Sequence, residues 1–160
     1  MADDLTITLA GGDWLAVILA TLAAFFIGFI WFTFLFGKQW AAEFNMEMGG
    51  EGGSFKAMAP SMLKDLVGNF LMAYVLFHTI VVWLPSLWGA HFGVEAADSP
   101  LWQYGMYAAA FSWLGFFVPV ALSRTGWEQR SWRWFGIDVG YHLVKLIAMA
   151  QIMAAMTTLA

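Results

Sequence analysis

Residues 14–36 read WLAVILATLAAFFIGFIWFTFLF and contain no Asp, Glu, Lys or Arg. As a helix, this stretch is long enough to cross the hydrocarbon core of a bilayer, which is about 30 Å thick. Residues 66–94 and 99–123 also lack charged side chains. An ordinary soluble domain carries about 25% charged residues, whereas this chain of 160 residues carries 11% and is 61% hydrophobic. The composition therefore excludes a water-soluble globule and predicts a membrane protein.

The hydrophobic pattern predicts an all-α, polytopic membrane protein with four transmembrane helices in a single domain, residues 1–160. We place the spans at about residues 14–36, 66–89, 102–123 and 134–159. The intervening segment 37–65 contains Trp40, Phe44 and Met48 at four-residue spacing, which is typical of a short helix lying in the membrane interface. A Gly-rich break at residues 49–53 follows, and Pro60 suits the first turn of the second helix.

The positions of the basic residues predict the orientation. The segment between the first two spans carries Lys38, Lys56 and Lys64, and the segment between the last two carries Arg124, Arg130 and Arg133. The remaining loop and both termini carry no basic residue. By the positive-inside rule, the two basic segments face the cytoplasm and both termini lie outside it. The N-terminus begins Met-Ala-Asp-Asp and lacks the positive charge of a signal peptide, so we expect the first span to be retained.

Composition also narrows the classes of function. Cysteine is absent, which excludes disulfides, thiolate metal sites and a cysteine nucleophile. The net charge of −4 argues against binding to nucleic acid. The sequence contains no phosphate loop, zinc motif or nucleophile–base arrangement. We therefore expect a protein that is not an enzyme and that has no catalytic residues, metal or cofactor.

The strongest chemical signal is a polar stripe in the fourth span. Asp138, His142 and Lys145 are spaced i, i+4 and i+7, which places all three on one side of a helix. Lys145 lies too deep to reach the membrane surface easily and needs a polar partner or water. Gly136 and Gly140, on the opposite side, have the small-xxx-small spacing that lets a neighbouring helix approach closely.

Two interpretations of this stripe stay open. It is either a buried network whose charges neutralise one another, with Asp138 pairing alternatively with Arg130 or Arg133, or a proton relay or binding site for a small polar solute. Further polar contacts are possible at Asn69, Tyr74 and His78 in the second span. His78 is more typical of a hydrogen-bonded helix contact than of a ligand, although a haem held between two histidines is an alternative.

A weak internal repeat aligns the first and third spans without gaps. It pairs Gly28 with Gly115 and Trp40 with Trp127. If this register is correct, the two spans are homologous and parallel, as in transporters built from parallel repeats.

Four motifs resemble a family of bacterial membrane proteins known as domain of unknown function 1761. They are Gly28-x-x-Trp31-Phe32, Phe36-Gly37-Lys38-x-Trp40, Trp113-Leu114-Gly115-Phe116 and Asp138-x-Gly140-Tyr141. The resemblance covers most of the chain. It implies a small four-helix protein of the bacterial inner (cell) membrane and assigns no activity or site residue.

Two functions are compatible with these observations. The first is a non-enzymatic membrane protein that acts as a homo-oligomer or as an accessory subunit of a larger complex, with membrane lipids as its other partners. It rests on the glycine face and on a chain too short to enclose a wide pathway alone. The alternative is a small proton-coupled transporter or permease that uses Asp138, His142 and Lys145.

Overall fold

The computed structural model describes residues 14–45, 55–82 and 99–156, with side chains in the second range from residue 58 onward. Every regular element in these ranges is helical. The α-helices are α1 (Trp14–Ile30), α2 (Gly37–Glu43), α3 (Phe55–Val82), α4 (Leu101–Ser112), α5 (Val118–Trp127) and α6 (Trp132–Met156). Two five-residue π-helical segments, Trp31–Leu35 and Trp113–Phe117, follow α1 and α4.

Four helical stretches within the described ranges are long and apolar enough to cross a membrane. They are span 1 (Trp14–Leu35), span 2 (Met58–Val82), span 3 (Leu101–Trp127) and span 4 (Trp132–Met156). The predicted all-α fold with four transmembrane helices is thus confirmed, and the protein is a multi-pass membrane protein. The predicted span ends at residues 89 and 159 lie outside the described residues.

The second helix begins earlier than the hydrophobic pattern predicts. Helix α3 starts at Phe55, so Pro60 lies inside it and not in its first turn. Lys64 and Asp65 stand immediately before the apolar run that begins at residue 66. Both side chains are exposed, and the helix is continuous through these two positions. A charged residue on the outer face of a helix does not end the helix, which explains the misplaced boundary.

Span 4 lies at the centre of the bundle, where α6 contacts all five other α-helices. Small residues allow the close approach of its neighbours. On α1, Ala16, Ala20 and Ala24 are fully buried and recur every four residues. On α4, a Cβ added to Gly105 would lie 3.2 Å from the carbonyl oxygen of Ala150.

Each π-helical segment begins with a tryptophan that lies against the backbone of α6. The Trp113 indole Nε1 donates a hydrogen bond to the Val139 carbonyl at 2.8 Å. The Trp31 ring lies 3.5 Å from where a Cβ on Gly140 would stand. The two tryptophans therefore clamp the same level of span 4 from spans 1 and 3.

This arrangement does not support the register predicted for the internal repeat. Gly28 is buried, and a Cβ there would lie 2.8 Å from the Tyr141 hydroxyl, whereas a Cβ on Gly115 would meet no atom of the described residues within 4 Å. The residue that occupies the structural position of Trp113 is Trp31. It stands five residues after Phe26, which the ungapped alignment pairs with Trp113. Aromatic residues are so frequent in this chain that a short ungapped match is a weak guide to structural equivalence.

The helix predicted in the segment between spans 1 and 2 is α2, which is shorter than the sequence pattern suggested. Trp40 packs between the rings of Phe32 and Phe44, with centroid distances of 4.5 and 4.8 Å. Met48, the third member of the pattern, lies outside the described residues. The Ser131 hydroxyl donates a hydrogen bond to Glu43 Oε1 at 2.6 Å, which ties α2 to the connection between spans 3 and 4.

Candidate intramembrane polar site

Lys145 is the buried charge at the middle of the bundle. Its side chain is 2% exposed. At 1.5 Å per residue, it lies roughly 20 Å along the helix from Trp132 and roughly 16 Å from Met156. The lysine stem cannot carry its ammonium from this depth to either membrane surface. Its stabilisation must therefore come from groups inside the bundle.

Span 2 supplies the main partner. The Lys145 ammonium donates a hydrogen bond to Asn69 Oδ1 at 3.1 Å, and Asn69 itself is only 1% exposed. The Asn69 amide Nδ2 in turn donates to Asp65 Oδ2 at 3.0 Å, one helical turn earlier. A continuous line of hydrogen bonds therefore runs from an exposed carboxylate on span 2 to the buried ammonium on span 4.

Tyr141 provides the second contact of the ammonium. Lys145 Nζ lies 4.4 Å from the centroid of the Tyr141 ring, within the distance for an effective cation–π interaction. Four residues separate the two side chains on α6, so they stack along one face of the helix. We call Asp65, Asn69, Tyr141 and Lys145 the polar ladder.

Two carboxylates, those of Asp65 and Asp138, act electrostatically on Lys145. Asp65 lies roughly 10 Å along its helix from Met58, and Asp138 lies roughly 9 Å along its helix from Trp132. Both residues are therefore nearer than Lys145 to the membrane side at which spans 2 and 4 begin. Helical side chains lean toward the N-terminus, so the ammonium points toward these carboxylates. The ammonium therefore points from the middle of the membrane toward the half that contains both carboxylates.

The predicted stripe of Asp138, His142 and Lys145 does not form a hydrogen-bonded chain among the described residues. His142 stacks on Phe117, with ring centroids 4.4 Å apart, and its Nδ1 is buried without a hydrogen-bond partner in the part of the chain that the structure describes. The three positions share a broad side of α6. However, His142 faces span 3, whereas Lys145 turns toward span 2.

Asp138 does not pair with either of the arginines predicted for it. It is partly buried, and the arginine that acts on it electrostatically is Arg124 of α5. Arg130 instead pairs with Glu128 at 3.4 Å and stacks on Phe44 at 4.4 Å. The conformation of the connection between spans 3 and 4 determines which arginine lies near Asp138. A helical wheel of span 4 alone does not contain this information.

The other candidate polar contacts have separate roles. Asn69 becomes the principal partner of Lys145. His78 and Tyr74 form their own cluster, in which His78 Nδ1 and the Tyr74 carbonyl are 2.8 Å apart and the rings contact each other at 4.5 Å. Trp14 stacks on Tyr74 at 5.9 Å. His78 thus contacts the backbone of its own helix, and its interpretation as a helix contact and not a ligand stays a prediction.

The two glycines predicted to pack against a neighbouring helix differ. Gly140 lies beside Trp31, and a Cβ there would meet the ring at 3.5 Å. Gly136 is exposed and has no neighbour within 4 Å of such a Cβ. The close packing predicted at Gly136 is therefore absent from the described bundle, because α6 turns this position toward its outer surface.

Sequence reasoning missed Asp65 and Tyr141 as members of the site. Both stand four residues from a residue that was identified, Asp65 before Asn69 and Tyr141 before Lys145. Polar pairs at i, i+4, either inside a predicted span or across its first residue, would have been a usable signal.

A second polar cluster lies in the connection between spans 3 and 4. Arg124 and Glu128 pair at 3.0 Å. The hydrogen bond from Arg124 holds the pKa of the Glu128 carboxyl below its ordinary value, and Arg130 adds to this effect. The Ser131 hydroxyl accepts a hydrogen bond from the Trp134 backbone N–H at 3.0 Å and so caps α6.

Comparison with family models gives one match, which covers residues 15–154 and carries the description "Protein of unknown function (DUF1761)". The chain belongs to this family. The match extends over all four spans, so the family resemblance inferred from the four sequence motifs is confirmed. Comparison with curated proteins and with solved structures gives no match.

Proposed function

We propose that this DUF1761 protein is a non-enzymatic protein of the inner (cell) membrane, with both termini outside the cytoplasm. In this proposal it acts as a homo-oligomer or as an accessory subunit of a larger membrane complex. The observation that carries the proposal is the outward-facing carboxylate of Asp65, which is exposed roughly 10 Å inside span 2. Lipid tails cannot solvate such a group, and polar residues at this depth normally face protein or water.

The surroundings of Asp65 fit a docking helix. Gly68 lies three residues later on the same side of α3 and is exposed, and a Cβ added there would meet nothing within 4 Å in the described ranges. A glycine on an outer membrane face lets another backbone approach closely. The carboxylate would then provide a hydrogen-bond acceptor beside a flat contact surface.

The inner polar groups favour a structural role for the ladder over a transport pathway. Lys145 is 2% exposed, and its ammonium is already bound by Asn69 and Tyr141. A solute would have to displace these contacts to reach it. The ladder is therefore best explained as a lock between spans 2 and 4.

Native mass spectrometry from mild detergent tests the proposal. We expect an oligomer or a co-purifying membrane protein with the wild-type chain, and loss of that assembly in Gly68→Leu. Gly115→Leu is the matched control, because Gly115 is also an exposed, neighbour-free glycine within a span. A wild-type protein that is purely monomeric, with no co-purifying partner, would contradict the proposal.

The alternative, a proton-coupled transporter, is favoured by one specific observation. The polar ladder begins at an exposed carboxylate and ends at mid-membrane, and His142 Nδ1, which has no hydrogen-bond partner among the described residues, lies on the same helix as its inner end. Proteoliposomes carrying a pH gradient and a pH-sensitive dye test this function. Proton flux above that of empty vesicles, lost in folded Lys145→Met protein, would support transport, and its absence in the wild type would reject it.

A further inference from the structure

A groove with a cavity volume of about 300 Å³ lies between spans 1 and 2. It is lined by Ile18, Thr21, Leu22, Leu66, Val67 and Phe70. Of these side chains, Ile18, Leu22, Val67 and Phe70 are exposed on the surface of the bundle. The groove therefore opens sideways, toward the hydrocarbon of the membrane.

The walls of the groove are apolar throughout. Thr21 is the one lining residue with a polar side chain, and its hydroxyl donates a hydrogen bond to the Val17 carbonyl of its own helix at 2.8 Å. A water molecule needs two to four polar partners to be held in a cavity, and these walls offer none. The chemistry of the groove therefore fits hydrocarbon.

The size of the groove fits an acyl chain better than a helix. At about 30 Å³ for each methylene, roughly the volume of a water molecule, the cavity holds roughly ten methylene groups. A helix with its side chains is about 10 Å in diameter and would not enter such a space. A second copy of the chain could cover the groove but could not fill it.

A positive charge borders the groove. Lys64 precedes Val67 by three residues, which makes the two side chains neighbours on the surface of α3. Its side chain is exposed and leans toward the N-terminal end of the helix and hence toward the membrane surface. Among the described residues it forms no ion pair. Lys64 stands roughly 9 Å inside span 2, and its stem carries the ammonium from there toward the headgroup region, where no described residue competes with an anion for it.

We propose that this groove binds one acyl chain of an anionic phospholipid whose headgroup phosphate is bound by Lys64. The chain runs inward from Lys64 along α3 to Phe70, over roughly 9 Å of helix. Lipid tails are as apolar as the groove, so burial alone gives little selectivity. The preference for an anionic lipid comes from the lysine.

Native mass spectrometry with added phosphatidylglycerol or phosphatidylcholine tests this assignment. We expect one tightly retained lipid per chain and an about fivefold preference for phosphatidylglycerol, which corresponds to about 1 kcal/mol for a lysine near an anionic surface. Lys64→Gln should abolish the preference, and Val67→Trp should fill the groove and reduce retention of the lipid. Lys38→Gln and Leu114→Trp are matched controls, because these side chains are also exposed.

Three results would overturn the proposal. The first is unchanged lipid retention in Val67→Trp, and the second is an unchanged preference for phosphatidylglycerol in Lys64→Gln. The third is loss of an oligomer in Val67→Trp with the lipid still bound, which would identify a second copy as the occupant. The proposed oligomer is tested by Gly68→Leu, whereas the lipid site is tested by Lys64→Gln and Val67→Trp, so the two proposals fail in different variants.

Discussion

Replacing Asn69 by Leu removes the hydrogen-bond acceptor of Lys145 while keeping a side chain of similar size in span 2. Asn69 is 1% exposed and Lys145 2% exposed, so water cannot replace the lost oxygen. The ammonium keeps only the Tyr141 ring and the more distant carboxylates. We expect the variant to remain inserted in the membrane but to have a lower free energy of unfolding.

The magnitude follows from the type of hydrogen bond. Bonds to charged groups contribute about 1.5–3 kcal/mol in soluble proteins, whereas interhelical bonds in membranes average about 0.6 and reach about 1.7 kcal/mol. The Asn69–Lys145 bond is buried and charged, so it should lie near the upper membrane value. Adding the cost of a partly unpaired charge, we expect Asn69→Leu to cost about 2 kcal/mol, or roughly 30-fold in the unfolding equilibrium.

A double-mutant cycle isolates this interaction. Lys145→Met keeps an unbranched stem and removes the charge, so it should cost less than Asn69→Leu, about 0–1 kcal/mol. Once the lysine is gone, Asn69→Leu should have little further effect, which gives a coupling energy of about 1.5 kcal/mol. Unfolding in bicelles by added dodecyl sulfate, followed by circular dichroism, supplies the free energies.

A matched cycle controls for general effects of the substitutions. Gln151 also donates an interhelical hydrogen bond, to the Trp102 carbonyl at 3.1 Å, but it shares no partner with Asn69. The cycle of Asn69→Leu with Gln151→Leu should therefore be additive within about 0.5 kcal/mol. Additive effects of Asn69→Leu and Lys145→Met would refute the lock between spans 2 and 4.

Three further predictions concern packing, capping and charge. Gly28→Ala should destabilise the bundle by about 1–3 kcal/mol, because the added Cβ meets the Tyr141 hydroxyl. Gly136→Ala should be neutral or stabilising by up to about 1 kcal/mol. Equal effects of the two substitutions on unfolding in dodecyl sulfate would contradict the packing described for Gly28. Ser131→Ala should lower the free energy of unfolding by about 0.5–2 kcal/mol, because it removes the cap of α6. We expect faster amide hydrogen exchange that is confined to the first turn of that helix. An NMR titration should give Glu128 a pKa below its ordinary value, and this pKa should rise in Arg124→Gln. Because the folded-state pKa is depressed, the stabilisation from the ion pair is fully present above the unfolded-state pKa and is lost as pH falls through the folded-state pKa. An unchanged pKa of Glu128 in the variant would count against the pair.

The arrangement of spans is readable from the sequence because bilayer thickness sets the length of uncharged helix that a chain requires. Residues 14–36 illustrate this, since their predicted span differs from the observed one by a single residue. Span 2 shows the limit of the method. Lys64 and Asp65 immediately precede the apolar run. Because both side chains face outward, they are accommodated inside a helix that already begins at Phe55.

The site was only partly predictable. The depth of Lys145 follows from counting residues along one helix, and this correctly required a polar partner. The partner could not be derived, because the side chain that meets Lys145 depends on the rotation of span 4 against span 2. A rotation of about 100° separates neighbouring residues on a helix, which is enough to turn Lys145 away from Asn69.

The amino-acid sequence by itself determined that this is a four-helix membrane protein with a charge at mid-membrane, since hydropathy and helical rise are local properties. Tertiary structure alone decided which groups bind that charge, which glycine is packed and where a lipid-sized groove opens. Those features depend on how separate helices rotate and approach one another. Here Ala16, Ala20, Ala24 and the tryptophans of the two π-helical segments set that approach, and through it they place Lys145 against Asn69.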